Sequence, residues 1–134
     1  MMWDHVMVRV LAVIKGDTEL ASIFGDHIRM TGTGAQQTPG LEYMLIADSE
    51  NELWAPAIFQ FDLWTTSAVT ARDAERRLRH LFHKDIPQEI GGLMLWTVYT
   101  DGSMLATPDR SNYTGRALRF TFTPLREQYA NVVG

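Results

Sequence analysis

Two stretches of this chain, 41–47 and 93–100, alternate with apolar residues on both sides. In the first, Tyr43, Leu45 and Ala47 share one side and Met44 and Ile46 the other. In the second, Leu93 and Leu95 oppose Met94, Trp96 and Val98. Strands of that kind have to be covered from both faces. The stretch 53–64 alternates more cleanly, with Ala55, Ala57, Phe59, Phe61 and Leu63 against Ile58, Gln60, Asp62 and Trp64. A last one, 113–123, sets Leu118, Phe120 and Phe122 against Arg119, Thr121 and Thr123. Period-two alternation predicts strands at all four places.

Helical spacing occurs elsewhere. Asp4 is placed to cap a first helix to about Lys15, with Val6, Val10, Val13 and Ile14 in register and Gly16 as its stop. Asp17 or Thr18 begins a short second helix through Leu20 and Phe24, closed by Gly25, and 26–30 reads as a brief extended piece. Thr66 or Ser67 caps the strongest helix, to about Lys84. Its Ala71, Ala74, Leu78, Leu81 and Phe82 fall within roughly a 100° sector.

Breakers separate these elements. The polar loop 31–40, the acidic turn 48–52, the Gly-Gly connector 85–92 and an Asp101-Gly102 turn opening a loop to Asn112 are all rich in turn residues. Pro124 stops the last strand, and 125–134 reads as a loosely held tail. The order predicts one α+β domain spanning 1–134. Its sheet is mostly antiparallel and four-stranded, made of two hairpins, with a long crossover helix and an N-terminal helix.

Composition narrows the function classes. The 134 residues suffice for one core, and 46% hydrophobic and 21% charged are ordinary globular values. A net charge of −4 argues against a sequence-independent nucleic-acid binder. With no cysteine there are no disulfides, thiol nucleophiles or cysteine-ligated metals. The apolar run 10–14 is too short to span a membrane, so a cytoplasmic site of synthesis is expected.

Candidate chemistry is sparse. His80 and His83 are three apart on the long helix, but no third ligand accompanies them. Thr31-Gly32-Thr33-Gly34 lacks the Lys-Ser/Thr ending of a phosphate loop, and no serine sits in a nucleophile-elbow context. Asp48, Glu50 and Glu52 at the acidic turn either solubilise it or bind a cation between subunits. No catalytic residue, cofactor site or metal site is expected, and no enzyme activity.

Arg72, Arg76 and Arg79 with His83 project in a narrow arc beside the apolar stripe, while Arg77 lies elsewhere, at i,i+4 from Asp73. The arc is either a solvated basic face or an interface stripe that meets carboxylates of a neighbouring copy, such as Asp48, Glu50 and Glu52. Met44, Ile46, Ile58, Trp64, Met94, Trp96 and Val98 form a possible second apolar face. The first helix would cover it in a monomer, or another subunit in an assembly.

With this order of elements the chain resembles the tail-terminator (tail-completion) proteins of tailed bacteriophages and prophages. The features that carry the resemblance are the N-terminal helix and the segment Asp17-Thr18-Glu19-Leu20-Ala21-Ser22-Ile23-Phe24-Gly25-Asp26-His27-Ile28. Phe59-Gln60-Phe61-Asp62-Leu63-Trp64-Thr65 then runs straight into a helix rich in Ala, Arg and Leu, followed by the Gly-Gly connector and two closing strands.

The resemblance spans roughly Val6 to Leu125 and implies a virion protein made in the host cytoplasm and placed at the head-proximal end of the tail. It implies a homo-oligomeric ring, commonly a hexamer, that caps the tail tube, stops tube polymerisation and presents a surface to a head-completion or connector protein. Another neck component, or a small-ligand-binding α+β domain, would be built from similar elements.

Overall fold

A computed structural model describes residues 2–30, 39–47, 56–105 and 114–124. Three helices, α1 (Met2–Gly16), α2 (Thr18–Phe24) and α3 (Ala68–Phe82), accompany six strands: β1 (Ile28–Met30), β2 (Gly40–Ala47), β3 (Ala57–Thr65), β4 (Gln88–Ile90), β5 (Leu93–Leu105) and β6 (Thr114–Pro124). They form one sheet in the order β1-β2-β3-β6-β5-β4.

The α+β class and both expected hairpins are present, but the sheet is six-stranded and mixed rather than four-stranded. β1 pairs parallel to β2, and every other pairing is antiparallel. Both additional strands are three residues long: β1 lies in the brief extended piece expected at 26–30, whereas β4, inside the expected connector 85–92, is too short for alternation to reveal. β4 turns into β5 through Gly91 and Gly92, whose φ values of 58° and 89° need residues without a Cβ. Positive φ at both central residues matches the tight hairpin turn whose twist suits flanking strands.

Local caps work as the residue types dictate. The Asp17 carboxylate accepts from the Leu20 amide at 3.1 Å, and the Ser67 hydroxyl accepts from the Thr70 amide at 3.1 Å. α1 begins at Met2, so Asp4 falls within its first turn and not at its N-cap position.

A second correction concerns Asp101-Gly102. β5 runs through this pair to Leu105, because a bulge between Tyr99 and Asp101 absorbs one residue and pairing with β6 resumes beyond it. β2 has a similar register shift between Leu45 and Ala47, so Ala47 pairs opposite Ile58 and the strict alternation expected through 41–47 is broken.

All three helices lie on one face of the sheet. Val6, Val10 and Ile14 of α1, Leu20 and Phe24 of α2, and Ala71, Ala74, Leu78 and Phe82 of α3 form one core with the alternate residues of the strands, such as Phe59, Phe61, Phe120 and Phe122. Phe82 meets Phe120 and Phe122 edge-on at 6.2 and 5.9 Å, which seats the C-terminal turn of α3 on the sheet. The reading in which α1 covers the second face is therefore not met. The acidic turn 48–52, most of the loop 31–40 and the tail 125–134 lie outside the described residues.

Candidate functional site

The surface of interest has two parts: the face of the sheet left free by the described helices, called the helix-free face below, and the exposed side of α3. Strand register builds the first. Across the sheet, Met44, Gln60, Arg119 and Asp101 form one row, and Glu42, Asp62, Ala117 and Ser103 the next. Ile58, Thr121 and Val98 form a further row, with Trp96 opposite Thr123 beside it.

The face is therefore divided. Towards the Ala57 end it is apolar, with Ile58 and Val98 half-buried and Trp96 45% exposed. Towards the Thr65 end it is polar. There Arg119 Nε donates to Gln60 Oε1 at 3.0 Å, and Gln60 Nε2 donates to Asp62 Oδ1 at 2.7 Å. Arg29 on β1 pairs with the buried Glu42 at 3.3 Å. The second apolar face read from Met44, Ile46, Ile58, Trp64, Met94, Trp96 and Val98 is thus crossed by hydrogen-bonded polar rows.

Trp64 and Trp96 separate. Trp64 is only 4% exposed, since it lies against Gly115, where a Cβ would overlap its ring. The chain itself covers this tryptophan. Trp96 keeps a large apolar surface in water on a face that none of the described helices covers. Met44 and Ile58 are intermediate.

α3 presents the second part. Its buried stripe leaves Arg72, Arg76 and Arg79 outward, as the helical spacing predicts. Arg72 makes no ion pair with any described residue. Arg76 is 3.6 Å from the exposed Asp73, a contact of small energetic weight. Arg79 lies over the Tyr99 ring at 4.3 Å from its centroid and 3.9 Å from Glu75. Burial pushes the Tyr99 hydroxyl above its ordinary pKa, with the Glu75 charge adding to the shift.

Arg77 does not pair with Asp73 as its spacing suggested. It reaches Asp17 at the start of α2 instead. The Arg77 guanidinium, through its hydrogen bonds, holds the Asp17 carboxyl below the usual carboxylate range. His83 is also occupied: its Nδ1 accepts from the Tyr99 amide at 3.0 Å, fastening the end of α3 to β5.

Two elements of this surface escaped the residue pattern. Arg116 donates to Glu75 Oε1 through Nε and Nη2 at 2.9 and 2.7 Å, and Met104 stands 74% exposed close by. With Ala68, Ala71, Arg72 and Thr114 they line a hollow of ≈ 330 Å³. The Asp-Gly pair, read as a turn, concealed that Met104 lies on a strand. Asp48, Glu50 and Glu52 are outside the described residues, so their approach to the arginines is not seen.

No protein-family model and no curated protein matches this chain. Solved structures do. A chain of the structure described as "virion of native gene transfer agent (GTA) particle" aligns with a TM-score of 0.60 at 15% identity, covering 86% of this chain and 90% of that one. A second solved chain aligns with a TM-score of 0.55 at 13% identity, covering 87% and 88%. What the three chains share is the fold. Each alignment extends over most of both chains.

Proposed function

We propose that this chain is a structural protein of a phage-like virion and, within that class, a ring-forming tail terminator. The observation that carries the reading is the fold held in common, over almost the full length of both chains, with a subunit of a gene transfer agent virion. The order of elements that resembles tail terminators supports the finer role. So do a sheet face left without helices and an arginine row on α3, both suited to contacts between subunits.

In this reading the chain acts by shape and not by catalysis. Copies associate head to tail, and such heterologous contacts close into a ring when the rotation per contact fits. The ring docks on the open end of the tail tube, covers the surface on which the next tube subunit would add, and presents its other side to a head-completion or connector protein. Its place is the head-proximal end of the tail.

The test is tube-length control. Tube protein polymerised with the full-length chain present should give tubes of limited length bearing a ring in negative stain, and tubes formed without it should run on. A chain that neither binds tubes nor limits them would overturn the terminator role. Co-purification with tailless heads, and not with headless tails, would assign it to another neck position. A strong, specific hit in a thermal-shift ligand screen would favour a ligand-binding domain.

A further inference from the structure

We infer that copies of this chain join edge to edge, the free half of β5 in one copy receiving the free half of β2 in the next. The inference rests on the ring reading above and names the surfaces that would make the ring.

Among the described residues, each of the two outer long strands is paired on its outer side at one end only. β4 pairs with Leu93, Met94 and Leu95 of the 13-residue β5. Beyond that, the Thr97 carbonyl accepts from the Lys84 amide and the Tyr99 amide donates to His83. From Thr100 to Leu105 the outer edge of β5 has no strand partner among the described residues. β1 likewise pairs only with Leu41, Glu42 and Tyr43, which leaves Met44 to Ala47 of β2 open among the described residues. An open strand edge is a template for another strand.

The two open halves are complementary. Register through β3 and β6 puts the open half of β5 at the sheet end that holds Gly40 and Trp64, and the open half of β2 at the end that holds Ala57 and Phe122. They lie on opposite edges, at opposite ends, and the strands run in opposite directions. Two copies offset by half a strand therefore pair antiparallel. β1 of one copy then passes beyond the end of β5, and β4 of the other passes beyond the end of β2.

Side chains favour the same occupant. Leu45 and Ile46, 39% and 40% exposed, stand on the open half of β2, and Met104 on that of β5. Leu45 pairs opposite Phe59 and Met104 opposite Arg116, so both belong to the helix side of the sheet. A neighbour's Leu45 set beside Met104 falls over the hollow of ≈ 330 Å³ between α3 and the strands. Charge agrees: β2 is followed in the sequence by Asp48, Glu50 and Glu52, and α3, beside the open half of β5, carries Arg72, Arg76 and Arg79.

Both open halves include a bulge. Bulges bend an edge and discourage indiscriminate pairing. A bent edge also imposes a fixed rotation at each contact, which a closed ring requires and a flat stack does not.

The chain has no cysteine, so Leu45→Cys and Met104→Cys introduce unique thiols. Opposed residues of antiparallel strands have Cα atoms about 4.5–5.5 Å apart, within disulfide reach. Assembled on tail tubes and oxidised, an equimolar mixture of the two full-length variants should give a reducible dimer, and the double variant a ladder of covalent oligomers. Each single variant alone should stay monomeric on a non-reducing gel. The exposed-site variant Leu45→Lys should melt like the parent and lose ring assembly. Rings in negative stain with no cross-link, or rings that survive Leu45→Lys, would overturn the edge contact while the ring reading stands. A chain that forms no rings and binds no tubes would overturn both.

Discussion

Arg77 donates to a single carboxylate oxygen of Asp17 through both Nε and Nη2, at 2.9 and 2.6 Å, while the same carboxylate caps α2. One buried side chain thus holds the start of α2 and binds it to the middle of α3. The lowered pKa of Asp17 has a definite sign. A carboxylate whose folded pKa lies below its unfolded one adds stability above the unfolded value, and that stability is lost as pH falls through the folded value. Asp17→Asn keeps a capping oxygen and loses the charge. It should therefore be less stable than the parent at neutral pH, with the gap narrowing as pH drops below about 4, near the ordinary carboxylate pKa. Chemical denaturation at a series of pH values checks this. Asp17→Ala should cost about 1 kcal/mol more than Asp17→Asn, through loss of the cap.

Phe82 ties α3 to the sheet between Phe120 and Phe122. Phe82→Ala removes both edge-on contacts and leaves a cavity in a fully buried position, for an expected loss of about 3–5 kcal/mol. Urea unfolding reads the loss directly. Phe82→Leu, which refills most of the space, should recover the larger part.

Gly115 has no positive φ, so its reason is space: a Cβ would overlap the ring of Trp64 and crowd Leu105 Cβ. Gly115→Ala should cost about 1–3 kcal/mol, as overpacking does. It should also displace Trp64 towards water, seen as a red shift and loss of intensity in tryptophan emission. Gly16, with open space at its Cβ position, serves as the control.

Positions on the helix-free face should divide assembly from folding. Trp96→Lys changes a half-exposed side chain on that face, and stability should stay within about 0.5 kcal/mol of the parent. The triple variant Arg72→Glu, Arg76→Glu, Arg79→Glu should likewise fold. Under the proposed function both should weaken tube capping, the arginine variant more so at low salt than at high salt, because exposed charge contacts are screened. Capping by negative stain and melting by circular dichroism separate the two effects.

Much of this molecule is legible in the residue order. The alternation of Ala57 to Trp64 and of Leu118 to Phe122, the apolar stripe of α3, the capping side chains Asp17 and Ser67, and the outward arginines follow from period and residue type. These are local properties: a pleat or a helical turn places neighbouring side chains without reference to the rest of the chain. Where local chemistry pointed elsewhere it lost. Asp101-Gly102 is turn chemistry, yet a bulge and the pairing with β6 hold it in a strand. Asp73 is the nearest carboxylate to Arg77 in helical spacing, yet Asp17, 60 residues away, sits where the guanidinium points.

By itself, then, the sequence determined where the helices and the longer strands lie and which face of each is apolar. Only the tertiary structure decided that the three described helices crowd one side of the sheet, that Trp64 is covered while Trp96 is not, and that β2 and β5 are, among the described residues, paired on their outer sides at one end only. Those outcomes depend on strand order and on contacts between residues far apart in the chain. A three-residue strand such as β4 carries too little pattern to announce itself, and the pairing of β1 and β4 comes from contacts between separate segments, which no local pattern encodes.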